Sequence, residues 1–191
     1  MYKSRIFLIH GWSGSPQGDW LPWAVKSLEE KGYEVTAPQM PDTDVPVIRP
    51  WVDYLSNIVG SMRESDIFIG HSIGCQTILR YLEKAVGKAG KIILVAPWFT
   101  LTNLENDEMW HIADPWLKTP MDFSQIKTKA KDFITIFSDN DPWVPYIQNK
   151  QMFRDKLNPE IITLHNKGHI TSEEGSLELP ELLQLFDRVR P

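Results

Sequence analysis

A serine stands between two glycines in "DIFIGHSIGCQTILRYL", residues 66–82, where an apolar run gives way to a helical pattern. Gly70-His71-Ser72-Ile73-Gly74 matches G-x-S-x-G, the pattern of a nucleophile held on a sharp strand-to-helix turn. Small residues at 70 and 74 let strand and helix approach closely while the serine takes a strained backbone conformation. The helix N-terminus then directs amide donors and positive dipole at the reacting oxygen. The chemistry suggested is nucleophilic attack by Ser72 on an acyl carbon. The plainer reading is a serine N-cap of an ordinary helix. The pattern alone occurs often by chance, and the flanking strand and helix separate the two readings.

A serine nucleophile needs a general base, and the base needs an acid to orient it. "FITIFSDNDPWVP" (133–145) runs from an apolar stretch into a loop with two aspartates, Asp139 and Asp141. Asp141 is favoured, because "DPWVP" opens the next helical region and Pro142 fixes the turn. Asp139 stays as the alternative, and the aspartate not used is expected to cap a helix. "EIITLHNKGHITSEEG" (160–175) supplies the base. His169 follows Gly168 in a loop beyond the last apolar run, where it can reach a serine hydroxyl better than His165, which sits at the run's end. A zinc site on the two histidines lacks a third ligand and helical spacing, so neither a metal nor a cofactor is expected. Ser72, Asp141 and His169 fall in the serine–acid–histidine chain order of the α/β-hydrolase fold.

A tetrahedral intermediate also needs donors for its oxyanion. The backbone N–H of Ile73 is one candidate. The backbone N–H of Trp12, in "LIHGWSGSP" (8–16), is the other, with Gly11 letting that loop approach the substrate. A simple glycine-rich turn is the alternative. His10 and His71 are expected to support the site by hydrogen bonding, His111 to be exposed, and Cys75 to be a buried packing thiol. Trp12, Trp98, Phe99, Trp110, Trp116 and Trp143 follow apolar runs or lie in one long connection. Among them Trp12, Trp98, Trp110 and Trp143 are the candidate substrate-binding residues, and core packing is the alternative for each.

These positions require strands that end side by side. Near-continuous apolar runs at 5–10, 66–70, 91–96, 133–138 and 160–165, with a weaker one at 33–38, predict parallel strands covered on both faces. Helical spacing predicts helices over 19–32, 50–62, 72–87, 144–157 and 179–189. The alternation argues for an α/β three-layer sandwich with a mostly parallel sheet of about six strands, forming one domain over 1–191. Residues 97–124 break the rhythm as a long connection with weak periodicity. They read as a lid over the site or as a surface excursion with one short helix.

The bulk composition narrows the partners. A chain of 191 residues with a net charge of −5 and no long basic run gives no footing for nucleic acid or an anionic membrane. One cysteine, Cys75, forbids an internal disulfide and fits a reducing compartment such as the cytoplasm. "MYKSRIFLIHGW" lacks the pattern of a signal peptide, and no apolar run approaches the ~20 residues that span a bilayer. A soluble, cytoplasmic protein acting on a small molecule is expected. Nothing points to a protein partner.

With "IHGW", "W-LPW-V---L" (20–28), "APQMPDTDVP" (38–46), "GHSIGC", "SDNDPWVP" and "GHI" on the page, the whole chain resembles the small serine hydrolases of the α/β-hydrolase fold, the YdeN-like and retinoblastoma-binding-hydrolase-like group. The resemblance implies a compact fold with a six-stranded sheet and little or no cap, and a triad at Ser72, Asp141 and His169. It supports hydrolysis better than it supports any particular ester. The expected activity is cleavage of a small carboxylic ester, thioester or amide through an acyl-enzyme, with no cofactor. Alternatives are a cofactor-free perhydrolase or acyltransferase, and a protein-interaction module on a hydrolase fold.

Overall fold

The structure is a computed structural model that describes residues 3–187. Six strands form one sheet: β1 Arg5–Ile9, β2 Glu34–Thr36, β3 Ile67–His71, β4 Ala89–Val95, β5 Ala130–Ser138 and β6 Glu160–Leu164. Their order is β2-β1-β3-β4-β5-β6, and every neighbouring pair is parallel. The α/β class and six parallel strands follow from the apolar runs, because a strand covered on both faces has no polar side to alternate with.

In β1, Ile6 and Leu8 face one layer while Phe7 and Ile9 face the other. The first layer holds α1 Leu21–Glu30 and α7 Pro180–Asp187, which insert Leu21, Ala24, Leu28, Leu182 and Leu185. The second holds α2 Ile48–Val59, α3 Ile73–Lys84, α4 Asp107–Lys118, α5 Phe123–Ile126 and α6 Tyr146–Leu157. Trp51, Trp98 and Trp116 are fully covered in that layer, and Trp20 is covered in the first. Those four tryptophans are core residues, as burial of large aromatic surface favours. Among the described residues no helix is long and apolar enough to cross a membrane.

The ends of several elements differ from the sequence reading. The helix predicted over 50–62 begins at Ile48, with Pro50 tolerated in its first turn. The helix predicted over 72–87 spans Ile73–Lys84, and the backbone is extended at Ala85. The last helix starts at Pro180, whose missing N–H costs nothing in a first turn; residues 188 and 189 of its predicted span lie outside the described residues. The weakly periodic connection contains α4, a helix of 12 residues. Pro115 interrupts its pattern, yet strong end signals compensate: the Asn106 side chain accepts from Met109 N, Asp107 and Glu108 occupy the first turn, and Lys118 the last.

The chain leaves β1 toward β2 on one side and leaves β3 toward β4 on the other. The carboxyl ends of β1 and β3 therefore flank the point where the strand order reverses, the crevice where open α/β sheets bind ligands. The Gly11–Trp12 loop leaves one of these ends, and Ser72 leaves the other.

Candidate active site

Ser72 lies between β3 and α3 with φ 53° and ψ −119°, a conformation that costs a non-glycine residue free energy. The surroundings impose it. Ser72 N donates to Val95 O at 2.9 Å, and Cys75 N donates to Ser72 O at 3.0 Å. A Cβ on Gly70 would stand 2.7 Å from Cys75 N, and one on Gly74 would meet Ile9 O and come within 2.7 Å of His10 O. Only hydrogen at both positions lets the helix start this close to β1 and β3. Cys75 is the packing thiol expected: it is buried, its S–H reaches Gly70 O and Val95 O, and burial holds its pKa well above the ordinary value.

His169 sits in the loop beyond β6, and its Nε2 lies 2.9 Å from Ser72 Oγ. Its Nδ1 lies 2.7 Å from Asp141 Oδ2. A carboxylate only accepts, so the Nδ1 proton points at Asp141 and leaves Nε2 bare to accept the Ser72 hydroxyl proton. Both side chains are nearly excluded from water, at 8% and 2% exposure, so the contacts are weakly screened. The other Asp141 oxygen accepts from Trp143 N and Val144 N, both at 3.0 Å, which fixes the carboxylate plane.

The sequence reading expected one aspartate to orient the histidine and the other to cap a helix. The structure divides the work differently, because one carboxylate has two oxygens. Asp141 both meets His169 and accepts the backbone donors ahead of α6. Asp139 pairs with exposed His165 and accepts from Asn166 N at 3.0 Å. The Asn166 amide and then His165 hold its pKa below the ordinary carboxylate value. His165 is thus turned away from Ser72. Among the described residues no group of three or more His, Cys, Asp or Glu is placed to hold a metal.

The loop after β1 comes alongside. A Cβ on Gly11 would be 3.4 Å from Ser72 Cβ and 3.1 Å from His71 Nδ1. His10, buried at its base, donates from Nδ1 to Gly11 O at 2.8 Å and accepts from Met40 N at 3.0 Å; burial lowers its pKa. The backbone N–H groups of Trp12 and Ile73 have no hydrogen-bond acceptor among the described residues. His71 donates from Nε2 to His169 O at 2.9 Å. His111 is exposed on α4.

The tryptophans separate by position. Trp98 is buried, and its indole N–H points at Ser72 Oγ over 3.4 Å. Trp143 meets the His169 ring edge-on at 5.1 Å. Trp12 is half-buried, with its indole donating to Asp44 O. Trp116 is a core residue that donates to Pro46 O, and Trp110 is 37% exposed on α4.

Two supports escaped the sequence reading. Glu174 accepts the His169 backbone N–H at 2.5 Å and the Thr171 hydroxyl at 3.1 Å; the T-x-x-E spacing of Thr171 and Glu174 resembles a capping box and was the available signal. Asn149, wholly buried in α6, accepts from Phe99 N and Thr100 N and donates to Thr100 O and Pro145 O, which fixes the loop carrying Trp98. Nothing in the helical pattern distinguishes it from a surface asparagine.

A family model described as serine hydrolase matches residues 6–188. The chain is 28% identical over 179 residues to YdeN of Bacillus subtilis (strain 168), a protein named as a hydrolase, covering 92% of this chain and 90% of that one. It is 26% identical over 166 residues to the serine hydrolase RBBP9 of Rattus norvegicus, covering 86% and 81%. The crystal structure of the ydeN gene product from B. subtilis superposes with a TM-score of 0.87 at 27% identity, over 97% of each chain.

Proposed function

The chain belongs to the serine hydrolase family on an α/β-hydrolase fold, and we propose that it cleaves a small carboxylic ester, thioester or amide through an acyl-enzyme on Ser72. His169 takes the Ser72 proton as the hydroxyl attacks the acyl carbon, then passes it to the leaving group. Asp141 holds the imidazole tautomer and stabilises the imidazolium. The N–H groups of Ile73 and Trp12 receive the oxyanion charge. Water, deprotonated by His169, then attacks the acyl-enzyme and releases the acid, returning the proton to Ser72. Trp12, Trp98 and Trp143 border the acyl position, and Trp110 on α4 is the fourth candidate for its lining. The observation that carries this reading is the unbroken run of contacts from Ser72 Oγ through both nitrogens of His169 to Asp141.

Labelling with a fluorophosphonate probe, read by intact mass and peptide mapping, tests it. Stoichiometric modification at Ser72, absent from Ser72→Ala, is the expected result and opens a screen of esters, thioesters and amides. Folded protein that takes no label would overturn the proposal.

A further inference from the structure

The loop after β4 holds one side chain firmly in place. Ala96 opens the loop with φ 47°, a value that costs a residue with a Cβ free energy and persists only where its neighbours fix it. Ala96 N donates to Ile136 O at 2.8 Å. Gln76 Nε2, from α3, donates to Trp98 O at 2.7 Å. The Asn149 side-chain oxygen accepts from Phe99 N at 2.6 Å and from Thr100 N at 3.0 Å. Trp98 lies between these fastenings and is 2% exposed.

The Trp98 indole N–H has one acceptor among the described residues, Ser72 Oγ at 3.4 Å. An indole N–H only donates, and the Ser72 hydroxyl directs its own proton at His169 Nε2, 2.9 Å away. The indole therefore meets a lone pair of the oxygen that attacks and later departs. At 3.4 Å the bond is long for a neutral hydroxyl. Negative charge on the acceptor shortens and strengthens such a bond, and burial limits its screening by water.

The step that benefits follows from the state of Oγ before and after it. In acylation Oγ starts as a hydroxyl that already accepts this bond, and a donor on the attacking oxygen also draws charge from it. The two effects offset. In deacylation Oγ starts as an ester oxygen, a weak acceptor. His169 takes a proton from water as the water oxygen bonds to the acyl carbon. The C–Oγ bond then breaks, its electron pair stays on Oγ, and the imidazolium returns the proton there. An interaction that grows along a step lowers the barrier of that step. We propose that Trp98 is a catalytic residue, its indole N–H stabilising Ser72 Oγ as the leaving group of deacylation. This rests on the acyl-enzyme reading above and adds a donor distinct from the N–H groups of Ile73 and Trp12, which are assigned to the carbonyl oxygen.

The test separates the two steps with p-nitrophenyl dimethylcarbamate. Release of p-nitrophenolate gives the rate of carbamoylation at Ser72, and intact mass after gel filtration gives the rate of decarbamoylation. Trp98→Phe removes the donor. A second variant carries 3-benzothienylalanine at position 98, placed by amber suppression; sulfur replaces the indole N–H and the packing is kept. Both variants should lose about tenfold in decarbamoylation and stay within about threefold in carbamoylation. The proposal is overturned if the two steps fall together, or if the benzothienyl variant sheds the carbamoyl group at the natural rate. A natural chain left unmodified at Ser72 by both this carbamate and the fluorophosphonate would instead end the hydrolase reading, and the proposal with it.

Discussion

His71 donates from Nε2 to the His169 backbone carbonyl at 2.9 Å, and the two rings lie 5.2 Å apart. The residue beside the candidate nucleophile therefore anchors the loop of the candidate base. The neutral ring makes this bond, and protonation would leave a buried Nδ1–H without an acceptor. Burial first, and then the nearby His169 charge, lower the His71 pKa from 6.5 to about 4.

That shift predicts acid lability. The unfolded chain protonates His71 near 6.5, whereas the folded chain resists until about 4. The unfolded state thus binds the extra proton, and stability falls as the pH drops between those values, by roughly 3 kcal/mol from this group. Buried His10 adds a loss of the same sign. Urea unfolding at about pH 7.5 and about pH 4.5 should show the loss, and His71→Gln should remove about half or more of it. An unchanged acid loss in the variant would assign the lability elsewhere.

The two aspartates predict opposite outcomes on one assay. Asp141→Asn replaces the acceptor at His169 Nδ1 with a group that can present a donor, so the imidazole adopts the wrong tautomer. A fall of about a thousandfold to ten-thousandfold in kcat on an activated ester is expected. Asp139 contacts exposed His165 and the Asn166 amide, so Asp139→Asn should stay within about twofold. Comparable losses in both variants would refute the assignment of roles.

Gly74→Ala tests the elbow as a packing constraint. In a helix interior alanine normally gains about 1 kcal/mol over glycine. Here the added methyl meets Ile9 O and comes within 2.7 Å of His10 O, both rigid backbone. A net loss of about 2–4 kcal/mol in unfolding free energy is expected. Gly18→Ala, whose methyl would find only Ser15 atoms at 3.5 Å or beyond, should change stability by less than about 1 kcal/mol. Equal effects would show that the elbow yields.

Much of this arrangement was legible because it rests on short-range pattern. Buried parallel strands advertise themselves as apolar runs. Gly70, Ser72 and Gly74 form a local motif, and Asp141 and His169 each follow a strand whose end the sequence marks. The contacts between distant segments were not legible. Asn149 sits on a helix of polar character, and only the fold brings the loop after β4 against it. Gln76 reads as an ordinary helix residue until α4 and α5 close over it. Helix α4 was obscured by Pro115, while the Asn106 cap and the charged ends that sustain it were weaker signals.

Glu174 supplies the last prediction, because the backbone it holds is strained. Ile170, next to His169, has φ 59°, a rare value for a β-branched residue, and Gly168 on the other side has φ 52°. Such a segment persists only when its neighbours over-determine it. Four ties do so: Lys167 N to Ser138 Oγ, Gly168 N to Asn140 Oδ1, His169 N to Glu174, and His71 Nε2 to His169 O. Glu174→Ala cuts one of the two ties on the His169 backbone without touching Ser72 or Asp141. The ring should lose its alignment more often while the acyl pocket is unchanged, so kcat should fall about tenfold with KM within about twofold. Glu174→Gln keeps an oxygen acceptor and should recover most of the rate, because the tie is a hydrogen bond to a carbonyl or carboxylate oxygen alike. If Glu174→Gln is as slow as Glu174→Ala, the negative charge beside His169, rather than the tie, is what the reaction uses, and the pH profile of kcat should then shift along with the rate.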